Sequence, residues 1–81
     1  MIFINVVVIK DSVIDENYLF RGDDKSDVAQ RAEQKFLDAC AKNVPNWDGY
    51  SEEDKKFVLE DGFAEFGAFG SVCISWPDTD T

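Results

Sequence analysis

The chain has 81 residues, with 17 acidic and 8 basic side chains, a net charge of −9 and a pI near 4.2. Its length allows one domain with one core, and a composition that is 44% hydrophobic and 14% aromatic is globular rather than disordered. The acidity excludes nucleic-acid binding through clustered Lys and Arg, and it excludes attraction to anionic membranes.

The first predicted elements are two strands. Residues 2–9 are β-branched almost throughout and apolar on both faces, which predicts a central strand. Such a strand is either covered on both sides or meets a partner with its second face. After a turn at residues 10–12, residues 13–20 predict a second strand that pairs back on the first.

A helix is the next predicted element. Asp24 or Ser26 can cap it, and it runs to about Lys42. Its apolar side chains fall within one half of the helical wheel, so we expect this face to pack on a sheet. The apolar residues are Val28, Ala29, Ala32, Phe36, Leu37, Ala39 and Cys40.

A second helix and a hairpin complete the chain. The capping-box pattern at residues 51–54 predicts a helix that ends at Gly62 in a left-handed cap. Residues 63–66 and 71–76 then predict two strands joined by a glycine-bracketed loop. Residues 78–81 are polar, and we expect a flexible tail there.

The element order β-β-α-α-β-β favours a single α+β domain over residues 1–81. Strands that come in hairpins predict a mostly antiparallel four-stranded sheet with two helices packed on one face. No signal peptide and no apolar run of membrane-spanning length is recognisable, which predicts a cytoplasmic location.

The residue types that carry most enzyme chemistry are missing. The absence of histidine excludes Ser-His-Asp and Cys-His catalysis and His-ligated zinc. Cys40 and Cys73 form no CxxC motif, and we expect two buried, reduced thiols. The neighbouring carboxylates match no calcium loop, and the glycines match no phosphate loop. We therefore expect no catalysis, no metal and no cofactor.

Charge and loop aromatics indicate candidate contact residues. Residues 48–81 hold nine acids and two bases, a net charge of −7, whereas residues 1–47 carry only −2. Large rings in loops are frequent in interfaces. For Trp47 we favour a buried ring that covers the core. For Phe69 we expect burial and contact with a partner equally. The candidate partner-binding residues are Glu52, Glu53, Asp54, Glu60, Asp61, Glu65, Trp47, Tyr50 and Phe69.

The sequence therefore predicts a small acidic binding module that covers a basic, nucleic-acid-binding surface of a partner protein. Phage-encoded anti-defence inhibitors, such as many anti-CRISPR proteins and DNA mimics, share its size and acidity. The alternative is a bacterial housekeeping domain or an immunity protein with a structural or interaction role. Acidity that serves only solubility would also account for the charge. We expect a monomer or small homo-oligomer without direct contact to nucleic acid or membrane.

Overall fold

One four-stranded antiparallel sheet and two α-helices form the fold in a computed structural model, which describes residues 1–75. The predicted α+β class and the order β-β-α-α-β-β are confirmed. The predicted tail at residues 78–81 and the last residue of the predicted final strand lie outside the described residues. The elements are β1 (Ile2–Lys10), β2 (Val13–Gly22), α1 (Lys25–Asn43), α2 (Glu52–Asp61), β3 (Phe63–Glu65) and β4 (Ser71–Ser75).

Strand β1 lies in the interior of the sheet, as predicted, because the strand order is β2-β1-β4-β3. It pairs antiparallel with both neighbours, so that Val6 lies opposite Tyr18 on β2 and Ile74 on β4. The turn between β1 and β2 places Asp11 and Ser12 at φ values of 53° and 65°. Two successive positive φ values suit the two-residue turns whose twist matches antiparallel strands.

The core lies between α1 and one face of the sheet. Asp24 begins the helix by accepting a hydrogen bond from the Ser26 backbone N–H at 3.0 Å. The apolar stripe of α1 then packs on β1, β2 and β4, with Phe36 the largest fully buried side chain. Alternate residues of the strands meet this stripe. The fully buried residues are Ile4, Val6, Val8, Val28, Ala32, Phe36, Cys40 and Val72.

Helix α2 lies at the margin of this core and contacts α1 and β3. Ser51 caps its start by accepting a hydrogen bond from the Asp54 backbone N–H at 3.0 Å. Gly62 ends it in the predicted left-handed conformation, with φ 82°, and donates to the Val58 carbonyl at 3.0 Å. No residue of α2 is fully buried, although Val58 and Leu59 are half-buried against the core. The helix therefore exposes most of its circumference.

The second face of the sheet is uncovered by any described element. Both helices pack on the opposite side, and the smallest dimension of the Cα trace, 16 Å, has room for only two layers. We call the uncovered side the open face and define it by the apolar side chains that the strand register places there. These are Phe3, Val7, Ile9, Ile14, Leu19, Phe63 and Cys73.

The prediction of two buried thiols is correct for Cys40 and wrong for Cys73. Cys40 lies on the buried stripe of α1, and desolvation raises its pKa to about 12. Cys73 is half-buried, because Val72 and Ile74 take the core side of β4 and turn the residue between them to the open face. Both cysteines are free thiols.

Thiol labelling should therefore separate the two cysteines. In dilute native protein we expect a maleimide to modify Cys73 within minutes and Cys40 only as fast as the fold opens, since the thiolate is the reactive form. Mass spectrometry of peptides over time measures both rates, and denatured protein gives the reference rate. Equal rates at the two sites in native protein would contradict this arrangement.

Candidate protein-binding surface

The outer side of α2 is strongly acidic. Glu52, Glu53 and Asp54 occupy its first turn, where the positive end of the helix dipole favours carboxylates. Glu60 and Asp61 occupy its last turn, where the dipole disfavours carboxylates by about 0.3–1 kcal/mol each, and no basic residue is present there. The first group is explained by helix stability. The second opposes helix stability and calls for another explanation.

An exposed aromatic ring lies at the centre of this charge. Phe57 is 58% exposed, and the residues three and four positions before and after it are all acidic. Residues at these spacings are neighbours on a helix surface. The ring lines an open groove of about 410 Å³ together with Glu52, Glu53, Lys56 and Glu60. We call the set formed by Glu53, Asp54, Phe57, Glu60 and Asp61 the α2 surface.

The carboxylates of the α2 surface form no close ion pair within residues 1–75, although Lys56 lines the same groove. The ion pair on this helix joins Lys55 to Glu52 at 3.9 Å, and Lys55 also lies 5.7 Å from the centroid of the Trp47 ring. Glu53, Asp54 and the two acids of the last turn form no ion pair within residues 1–75. Four exposed negative charges thus surround one apolar ring.

Sequence reasoning missed Phe57 as a contact residue, although the sequence contains the signal. A phenylalanine on a helix is ordinarily read as a core residue. Here, however, every position that shares its side of the helix carries a carboxylate, which is incompatible with a core-facing stripe. The half-buried Val58 and Leu59 take the core side instead.

The structure separates the aromatic residues that the sequence grouped. Trp47 is only 6% exposed and packs on the half-buried Tyr50 with ring centroids 4.9 Å apart. The favoured prediction of burial is confirmed for Trp47, which belongs to the core and is removed from the candidate contact residues. Phe69 is 66% exposed, and its carbonyl accepts a hydrogen bond from the Ser12 N–H at 3.0 Å. It lies beside the β1–β2 turn rather than on α2.

The predicted acidic residues also divide between two places. Glu52, Glu53, Asp54, Glu60 and Asp61 come together as exposed residues of α2. Glu65 is exposed as well, but it lies on strand β3, where its pairing with Ser71 places it on the open face. The candidate binding surface is therefore the helix.

A cluster of polar side chains connects α1 with β2, apart from the α2 surface. The Tyr18 hydroxyl donates a hydrogen bond to the Glu16 carboxylate, which also lies 3.7 Å from Lys42 Nζ. Lys35 Nζ lies 4.2 Å from the centroid of the Tyr18 ring. The hydrogen bond from Tyr18, together with the charge of Lys42, lowers the pKa of Glu16, and the same bond raises the pKa of Tyr18. These directions favour an ionised Glu16 and a protonated Tyr18, which is the combination that the hydrogen bond and the ion pair with Lys42 require.

Within the part of the chain that the structure describes, no three Cys, Asp or Glu side chains converge on a position that a metal ion could occupy. None of the helices in residues 1–75 combines the length and apolarity needed to cross a membrane. In comparisons with known proteins, no family model, curated protein or solved structure matches this chain. The inference of function therefore starts from a small α+β domain with an acidic, ring-bearing helix.

Proposed function

We propose that this chain is a protein-binding module, without catalytic activity, that uses the α2 surface to cover a basic surface of a partner protein. The observation that carries the proposal is the exposed Phe57 ring among four carboxylates without ion pairs. An arginine of a partner can stack on such a ring while it pairs with the neighbouring carboxylates. A central ring excludes water, and surrounding charges accelerate association.

The spacing of the charges favours a nucleic-acid-binding surface as the target. Glu53 and Asp61 are eight residues apart, so the four carboxylates of the α2 surface extend over about 12 Å of the helix axis. A single DNA strand carries one charge per about 3.4 Å, which is similar to the average density here, although the four carboxylates form two adjacent pairs. An inhibitor that occupies the nucleic-acid site of an enzyme, as anti-defence proteins and DNA mimics do, is therefore our proposal. We place it in the cytoplasm, where free thiols such as Cys40 stay reduced.

The charge pair at the end of α2 provides the sharpest test. Glu60→Lys together with Asp61→Lys should weaken binding by at least about tenfold, mainly through slower association, because long-range attraction is lost. The same substitutions place cations at the negative end of the helix dipole and should raise stability by about 0.3–1 kcal/mol each. A loss of binding in a more stable protein cannot be explained by unfolding.

In the first step, wild type and the Glu60→Lys/Asp61→Lys variant are immobilised and exposed to a bacterial lysate. Proteins that wild type retains and the variant does not are taken as candidate partners. Their association rates are then measured between about 50 and 500 mM NaCl, with duplex DNA as competitor. The matched control is Asp23→Lys with Asp38→Lys, which changes the net charge equally at exposed positions off α2. We expect steep salt dependence, competition by DNA and near wild-type binding by the control. Affinity that does not change with salt, or equal losses in both variants, would contradict the proposal.

A further inference from the structure

We infer that the open face is a second interaction surface, through which two copies of this chain pair face to face. This inference is independent of the proposed function, because the open face and the α2 surface share no residue. The sequence of β1, which is apolar on both faces, leaves two possibilities for the second face: a covering layer from the chain itself or a partner. We infer the partner.

The open face presents contiguous apolar surface. Leu19 is 55% exposed and Phe63 is 49% exposed, and Val7 lies between their strands in register with Asn17 and Cys73. Phe3, Val7 and Ile9 are half-buried and lie outside the core cluster. Exposed apolar patches rimmed by polar residues are frequent sites of protein–protein interaction.

The charge on the open face selects a second copy as the occupant. The strand register places two charged residues on this face, Arg21 and Glu65, so the face is neutral on a chain of net charge −9. Its other polar residues are uncharged, and Asn5 donates a hydrogen bond to Asn17 across two strands. Two acidic chains can therefore meet here without facing like charges. A basic partner would find one carboxylate to pair with.

The two charges are arranged for two-fold pairing. Arg21 lies opposite Phe3 on the edge strand β2, whereas Glu65 lies on the other edge strand, at the end of the sheet where Ile9 lies. They thus occupy diagonally opposite corners. A two-fold axis between the faces, at right angles to the line joining them, places Arg21 of each copy over Glu65 of the other. Neither residue has an ion pair among residues 1–75.

The size of the face predicts a reversible dimer. The strands contain 9, 10, 3 and 5 residues, 27 together. At about 3.3 Å per residue and about 4.8 Å between strands, they cover about 430 Å² in projection per copy. A pair of faces then buries about 900 Å² as a flat area, without the additional surface of the projecting side chains. Weak, transient interfaces have this size. We therefore expect dissociation in the micromolar range.

Sedimentation velocity of the full chain tests the dimer. At about 150 mM NaCl the mass should rise from 9.2 kDa toward twice that value between about 1 and 500 µM. Leu19→Lys should remain monomeric throughout. Phe57→Lys is the matched control, since it introduces the same charge on the α2 surface at a residue that is about as exposed as Leu19. It should dimerise like wild type even if it loses partner binding.

Exchange of the two charges tests the geometry. Arg21→Glu and Glu65→Arg alone should each weaken dimerisation by about tenfold, and the double variant should restore it, because the pairs are re-formed with opposite sign. Labelling of Cys73 should slow as protein concentration rises. A chain that stays at 9.2 kDa at every concentration overturns the inference, as does a Leu19→Lys variant that dimerises or a double variant that is not restored.

Discussion

Phe36→Ala should lower the free energy of unfolding by about 3–5 kcal/mol, which is a quarter or more of a total stability of about 4–12 kcal/mol. Phe36 is fully buried between α1 and the sheet and is the largest such side chain among the described residues. A sheet covered on one side has few other side chains that can move into the cavity. Urea unfolding followed by circular dichroism measures the loss.

The matched control is Phe57→Ala, the same truncation on an exposed ring of α2. It should change the free energy of unfolding by less than about 0.5 kcal/mol, as surface substitutions ordinarily do. A Phe36→Ala midpoint close to that of wild type would mean that the core is not organised around this residue.

Phe57→Ala should have the second large effect, on binding instead of stability. If the ring fills a pocket between basic residues of the partner, its truncation removes about 2 kcal/mol or more, which is about a thirtyfold loss of affinity. The loss should occur in the dissociation rate, since the charges that govern encounter are retained. Surface plasmon resonance with a partner retained by wild type separates the two rates.

Phe69→Ala is the informative comparison, because Phe69 is similarly exposed but lies beside the β1–β2 turn. Unchanged dissociation for Phe69→Ala with faster dissociation for Phe57→Ala supports the α2 surface. The reverse result would move the contact to the β3–β4 loop and contradict the role proposed for α2.

Elements with regular hydrophobic spacing could be predicted from the sequence. The α1 stripe, with Phe36 and Cys40 on one side, and the β-branched, apolar run of β1 both report local geometry that the chain carries by itself. The caps at Asp24, Ser51 and Gly62 are similarly local, since they depend on a side chain within a few residues of the backbone that it caps.

Features that depend on packing between distant segments could not be predicted. β2 extends through Arg21 and Gly22, beyond its predicted end at residue 20, because β1 offers pairing partners. The thiol of Cys73 faces outward because the helices cover only one side of the sheet. For the α2 surface, the acidic residues were predicted from the sequence, whereas Phe57 was missed although the carboxylates at its helical neighbours are visible in the sequence.

The pairing of β1 with β4 has a consequence for how this chain reaches its native state. Residues 5–9 lie beside residues 71–75, so β1 leaves the ribosome well before β4, the strand that becomes its second neighbour. The β1–β2 hairpin and α1 are local and can form early, whereas closing a loop of some sixty residues is slow. During synthesis the apolar edge of β1 therefore stays unpaired until β4 is made, and residues 1–47, with a net charge of only −2, give that intermediate little electrostatic protection from association with other nascent chains.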